Sequence, residues 1–237
     1  MIVRYLGNDK FVISSKDLQI AVNHLDGEIS IGLKDGEYTF CPKGLKCKNP
    51  VEGWVNWKHV SVLIAPKGLV FVDEKTSIGL WEFPPAIHVD FIISNVSKKE
   101  MMDKPYQDIR ALQEGDIIDP FLAITYSKEQ VHQMKLDDKW FELILKEEKV
   151  VEGRLYDEKR RRIRVGHIIE FKSVKNKRKI YCRVKRYVIY NNFKEMLENE
   201  GTERVLPGFS VEEAEKVYEG YYGLNAGPVV ALSLELL

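Results

Sequence analysis

Three side chains able to act on one ligand fall close together in the chain: Lys149, Glu152 and Arg154. In an extended strand residues two apart share a face, so Glu152 and Arg154 point the same way. Lys149 has the opposite parity and joins them only from a turn or bend before the strand. A carboxylate fixed between two cations suits a polar, anionic ligand. Arg154 brings a planar fork that grips a phosphate or a base edge with two hydrogen bonds. Lys149 can stabilise an oxyanion, or act as a base if burial lowers its pKa, and Glu152 can activate water; amide hydrolysis needs such parts. The same roles fit binding without catalysis, and the same residues fit an ion pair on a solvated strand. A basic run follows, Lys159, Arg160, Arg161, Arg162 and Arg164, which suits phosphates or a wet loop.

These residues need elements to place them. Trp140-Phe-Glu-Leu-Ile-Leu145 is an amphipathic segment leading into the turn that carries Lys149. Gly166 marks a turn into an apolar strand, Ile168 to Phe171. Lys177 to Tyr190 alternates basic or aromatic residues with apolar ones, the pattern of a half-buried strand with a basic outer face. Phe193 to Leu197 and Ser210 to Tyr222 read as helices. In the second, Ser210 and Glu213 form a capping box before an apolar stripe of Ala214, Val217, Tyr218 and Tyr221, and Gly223 ends it.

This part of the chain resembles the ASCH domain, a small β-barrel related to the PUA fold of RNA-modifying enzymes. The family pattern is a Lys, two spacers, Glu or Thr, one spacer and Arg, then a variable loop, Gly-Asp and an apolar strand ending in Phe. Lys149, Glu152, Arg154, Gly166 and Phe171 fill it, with His167 where Asp is usual. Leu206 to Tyr218 resembles the family's later helix and Val229 to Leu236 its closing strand. The resemblance implies RNA or nucleoside handling. Some small bacterial members are amidohydrolases acting on acetylated cytidine, which would make Lys149 and Glu152 the catalytic pair. Glu152 stands where those enzymes carry Thr, and Pro207 where they carry a Glu before the helix. The nearest carboxylate to that place is Glu203.

The net charge is zero, with 36 Lys and Arg against 36 Asp and Glu, yet it is unevenly spread. From Asp138 to Arg186 there are 17 basic and 8 acidic residues, or +9; from Tyr187 to the end 3 against 9, or −6; before Asp138, 16 against 19, or −3. A basic block in a neutral chain is the footprint of a surface that meets phosphate, or one neutralised by the acidic tail. Hydrophobic content of 44% with 30% charged residues is that of a soluble globular protein. No run approaches the ~20 apolar residues of a membrane helix, and the opening Met1 to Gly7 lacks signal-peptide features. Three cysteines, Cys41, Cys47 and Cys182, fit a reducing compartment, the cytoplasm first and the nucleus second.

The first part of the chain reads as strand-rich. Val3 to Leu6 and Lys10 to Ser14 are strands, and Asp26-Gly27 and Asp35-Gly36 bracket another in a β-meander. Cys41 and Cys47 are too far apart for a Cys-x₂₋₄-Cys zinc clip, so no metal or cofactor is expected. Trp54 and Trp57 read as core packing, with a nucleobase-stacking platform as the competing account. His88 reads as a strand residue. Leu112 to Phe121 echoes Ile163 to Phe171, consistent with a degenerate second barrel or with a common turn into a strand. Ser127 to Asp138 is polar and helix-capable, and sets the boundary.

The expected fold is α+β, mainly β, in two domains: a strand-rich domain over 1–137 and an ASCH, PUA-like β-barrel with flanking helices over 138–237. The expected function is RNA or nucleotide binding through Lys149, Arg154, Arg160, Arg161, Arg162 and Arg164, with DNA as a further nucleic-acid candidate. Two alternatives are an amidohydrolase using Lys149 and Glu152, and an interaction scaffold docking a protein through the first domain.

Overall fold

The computed structural model describes residues 1–237 except 17, 26–27, 34–38, 43–49, 52, 66–67, 82–87, 95–104 and 225; side chains are not described over 24–52. The chain divides into two compact units, Met1–Lys128 and Glu129–Leu237. The break falls before the expected boundary. Ser127 to Asp138 holds a 3-10 turn, Lys128–Gln130, and then a strand, Val131–Leu136, that pairs with Ile168–Ser173. That pairing is long-range and not visible in local polarity, so the strand belongs to the second unit.

The first unit runs β1 (Ile2–Tyr5), β2 (Lys10–Ser15), β3 (Leu18–Leu25), β4 (Glu28–Leu33), β5 (Thr39–Pro42), β6 (Pro50–Val51), β7 (Gly53–Trp57), β8 (Val60–Ala65), β9 (Gly68–Val72), β10 (Ser77–Trp81), β11 (Phe91–Ser94), β12 (Tyr106–Asp108), β13 (Ile117–Asp119) and β14 (Ile124–Tyr126). One sheet has the order β14-β13-β1-β2-β3-β4-β5-β6 and the other β12-β11-β10-β9-β8-β7. Alternation makes the core: Phe11 and Ile13 of β2 and Phe71 and Leu80 of the other sheet are fully buried in one cluster, where Phe11 meets Trp81 edge-on at 5.9 Å.

The hairpin expected about Asp26-Gly27 is consistent with the pairing of Leu25 with Glu28, although the turn itself, like Asp35-Gly36 and Cys47, lies outside the described residues. Trp57 and Val55 pack on the core, but Trp54 points the other way on an edge strand and is 53% exposed, which corrects its reading as core. His88 is exposed and precedes its strand, which begins at Phe91.

The second unit is a single curled sheet with helices. Its elements are β15 (Val131–Leu136), α1 (Asp138–Leu145), β16 (Val151–Leu155), β17 (Ile168–Ser173), β18 (Lys179–Tyr190), α2 (Phe193–Glu200), α3 (Thr202–Val205), α4 (Val211–Tyr222) and β19 (Val229–Leu236). The order is β15-β17-β18-β19-β16, with β15 parallel to β17 and the other pairs antiparallel. β18 is long enough to serve both halves of the curl and carries a register shift between Val184 and Arg186, a bulge of the kind that bends a strand. The core gathers Phe141, Phe171, Ile180, Leu197 and Leu232, all fully buried. The expected capping box at Ser210 and Glu213 starts α4, and Asn192 caps α2. Among the described residues no helix is long and apolar enough to cross a membrane.

Candidate functional site

β15 and β16 are the two edges of the five-stranded curled sheet, and they meet across a seam bridged by a side chain rather than by a ladder of backbone bonds. Arg154 of β16 spans it, donating from Nη2 to the Lys135 carbonyl of β15 at 2.9 Å and from Nη1 to the Tyr222 hydroxyl at 3.3 Å. Its Nε faces Glu152 Oε1 at 2.7 Å. Lys149 enters from a turn in which Glu147 has positive φ, and its Nζ lies 3.0 Å from Glu152 Oε2. The three residues brought together by parity and a turn are therefore one buried charge network, with Glu152 held on both oxygens.

Lys149 is 1% exposed, and its ammonium also donates to the carbonyls of Val151 (2.7 Å) and Val205 (2.5 Å). Its three N–H groups thus have three acceptors, which keep it charged although burial pulls it below the usual lysine range against the pull of Glu152. Burial works to raise the Glu152 carboxyl, and the charges of Lys149 and Arg154 outweigh it, holding it below its ordinary value. Burial likewise opposes charge on Arg154, and Glu152 followed by Tyr222 overrides it, raising the guanidinium.

The network forms one wall of a cavity of about 250 Å³. Aromatic residues of α1 and α4 supply the other walls: Trp140, Tyr218, Tyr221 and Tyr222. Trp140 donates to the Tyr221 hydroxyl at 3.2 Å and Tyr221 donates to Asp137, so hydroxyl, indole and carboxylate are chained at the rim. Phe193 stacks on Tyr218 at 4.1 Å and on Tyr222 at 5.2 Å, fixing α4 against α2. Gly153 makes this possible. A Cβ there would lie 2.7 Å from both the Tyr218 hydroxyl and Met196 Cε, so any side chain would push the aromatic wall away.

On the other side of the seam lies an open groove of about 480 Å³, lined by β15, by Arg160 and Arg162 of the 3-10 turn Arg160–Arg162, and by Lys159 just before it. Lys135 and Arg154 line both spaces, so cavity and groove are continuous at the seam. Arg160 is partly committed to Asp157 at 2.7 Å. Two residues of the expected ligand set, Arg161 and Arg164, lie outside this groove. Arg161 lies over the Tyr156 ring at 5.0 Å, and Arg164 turns back to the carbonyls of Arg161 and Ile163; neither lines the groove. A 3-10 turn spreads successive residues around its axis, so a run of arginines does not share a face.

His167 stands beside this groove in contact with His132, Nδ1 to Nε2 at 2.8 Å with the rings stacked. Burial, then His167 and Arg164, lowers His132 to about 4. The cavity residues missed in the sequence, Asp137, Trp140, Tyr221 and Tyr222, come from helices on either side of the strand; the aromatic stripe of α4 was the available signal. Among the described residues no cluster of metal ligands occurs.

The family model for the ASCH domain matches residues 134–237. Of solved structures, hypothetical protein PH0355 is 44% identical over 45% of this chain and 99% of its own, with a TM-score of 0.41. Protein PF0455 from Pyrococcus furiosus is 45% identical over 45% and 97%, with a TM-score of 0.38. ASCH from Zymomonas mobilis is 14% identical over 45% and 68%, with a TM-score of 0.35. Among curated proteins none matches the chain.

Proposed function

We propose, for a chain that belongs to the ASCH family through its residues 134–237, that the seam between β15 and β16 binds single-stranded RNA. The ASCH domain is of a PUA-like, RNA-binding fold family, which supports a nucleic-acid ligand. The observation that carries the reading is the continuity of an aromatic cavity with a basic groove through Lys135 and Arg154. Bases that leave their stack seek aromatic faces, and the phosphates beside them seek cations; one site offers both. Arg154 sits where the two meet. Its contacts with Glu152, Lys135 and Tyr222 hold the guanidinium fixed at that junction, where it lines both spaces.

An amidohydrolase reading draws on Lys149 and Glu152 sharing this cavity at 3.0 Å. Their chemistry fits it less well. A base must be ready to take a proton near neutral pH, whereas Glu152 is held below its ordinary value by two cations. An oxyanion donor needs a spare N–H, and the three of Lys149 already have acceptors.

The test is anisotropy of a labelled, unstructured RNA, with DNA of the same sequence alongside, against the wild type and a Lys159→Ala/Arg162→Ala variant. Both residues are exposed or groove-lining, so the variant keeps its fold. Salt-sensitive RNA binding that weakens at least tenfold in the variant supports the reading; equal affinity removes the groove from it. Release of acetate from acetylated cytidine would revive the hydrolase.

A further inference from the structure

The β17–β18 hairpin closes the far end of the cavity, and its charge is not absorbed by the binding groove. Val174, just after β17, lines the cavity, is 42% exposed, and donates its N–H to the Leu136 carbonyl at 3.1 Å. Asp138 holds the turn by accepting from Ser173 Oγ (2.8 Å), the Lys175 N–H (3.1 Å) and Asn176 Nδ2 (3.2 Å). Arg178 pairs with Glu142 and lies over the Phe141 ring at 5.0 Å. The loop is thus pinned to α1 at several points, and its nearest carboxylates are spent in pinning it.

Three exposed lysines are left over: Lys172, Lys175 and Lys177, none of which forms an ion pair among the described residues. Lys177 Nζ donates to the Val174 carbonyl at 2.6 Å, which parks its ammonium at the residue that rims the cavity. Lys172 is the register partner of Lys135, itself part of cavity and groove. Like charges directly opposite on one face of a sheet repel, and an anion lying across them relieves the repulsion. Cationic residues therefore stand at two places about the seam: Lys159 and Arg162 in the groove, and the hairpin lysines next to Val174, which lines the cavity.

Resting on the RNA reading above, we propose that the site takes a nucleotide from the interior of a single strand. Its base enters the cavity, the backbone on one side runs over Lys159 and Arg162, and on the other side over Lys172, Lys175 and Lys177. A free mononucleotide has a phosphate on one side only and would use one of the two basic elements. The chain as it stands needs both for a strand that passes through.

The experiment compares wild type with a Lys172→Gln/Lys175→Gln/Lys177→Gln variant on two probes, an unstructured RNA 10-mer and nucleoside 5′-monophosphates. The 10-mer is expected to bind the wild type at least tenfold more tightly than any monophosphate. In the variant its affinity falls about tenfold at low salt. The slope of log affinity against log salt falls by about 2, at about 0.7 per phosphate contact for single strands, while the melting temperature stays the same. If the variant binds the 10-mer like wild type while Lys159→Ala/Arg162→Ala loses affinity, the RNA reading stands and the hairpin footing falls. Equal wild-type affinity for 10-mer and monophosphate also overturns it. If the wild type binds neither probe, both readings fail together.

Discussion

At the residue scale, the buried trio is first a structural device. Removing one member of a buried charge pair leaves the other uncompensated, which typically costs about 3–5 kcal/mol. Lys149→Met should therefore lower stability by about 3 kcal/mol in urea unfolding, since it takes one of its two cations from Glu152 and leaves the buried Val205 carbonyl without this donor. Acid should expose the same network. Glu152 has a folded value below its unfolded one of about 4.3, so its contribution is complete above that pH and is lost as pH falls through the lower folded value. His132 acts in an earlier window: lowered from 6.5 to about 4, it stays neutral in the fold while the unfolded chain takes up a proton. Stability should decline between those two values, and His132→Gln should flatten that part of a stability-against-pH curve. The Glu152–Arg154 face was legible from parity alone, and the turn that delivers Lys149 followed from its mismatch. That Lys149 has no spare proton was not, because one of its acceptors, Val205, is 56 residues away.

At the element scale, the echo between the two halves of the sequence corresponds to a shared turn. In each half a 3-10 turn (Ile109–Ala111 or Arg160–Arg162) is followed by a buried aliphatic residue, a positive-φ glycine, one polar residue and a strand. The backbone bonds repeat as well. Gly115 donates to the Tyr5 carbonyl and Tyr5 back to Asp116; Gly166 donates to Val184 and Val184 back to His167, all at 2.8–2.9 Å. The partner strand differs, since β1 precedes its turn by a hundred residues or so and β18 follows directly. What the two halves share is thus the turn and its backbone bonds, not the place of the partner strand in the chain. The turn depends on glycine: φ is +100° at Gly115 and +89° at Gly166. Gly166→Ala meets no atom within 4 Å, so its cost is backbone strain alone, about 1–2 kcal/mol in chemical unfolding, a value that steric repacking cannot relieve. Local signals of this kind were readable, glycine turns and helix caps above all. The strand Val131–Leu136 was not, because it owes its state to a parallel partner more than thirty residues on.

At the scale of the whole molecule, a chain of zero net charge concentrates its cations around one seam. The basic excess between Asp138 and Arg186 was plain in the sequence, but only folding sorts it. Arg183 and Lys185 face Glu235 and Arg186 faces Glu200, so the acidic tail neutralises part of it, while Lys179 faces Glu170 within the block itself. The remainder lines the groove and the hairpin. Among its described residues the first unit offers no comparable concentration; its exposed apolar residues, Trp54 on the edge strand β7 and Phe121, Leu122 and Ile124, are the features on which a protein-docking role would rest. If the cleft carries the nucleic-acid contact, salt dependence must be a property of the second unit's free cations and not of total charge. Each phosphate contact on a single strand contributes about 0.7 to the slope of log affinity against log salt. Neutralising Lys159 and Arg162 to Gln should then reduce the slope by about 1.4, whereas neutralising Arg161 and Arg164, which face Tyr156 and backbone carbonyls, should leave it within about 0.3 of wild type. The two variants remove the same charge from the same short segment, so a generic electrostatic attraction would change both slopes equally. A titration of RNA affinity from low to moderate salt on both variants separates a site with defined contacts from a merely basic surface.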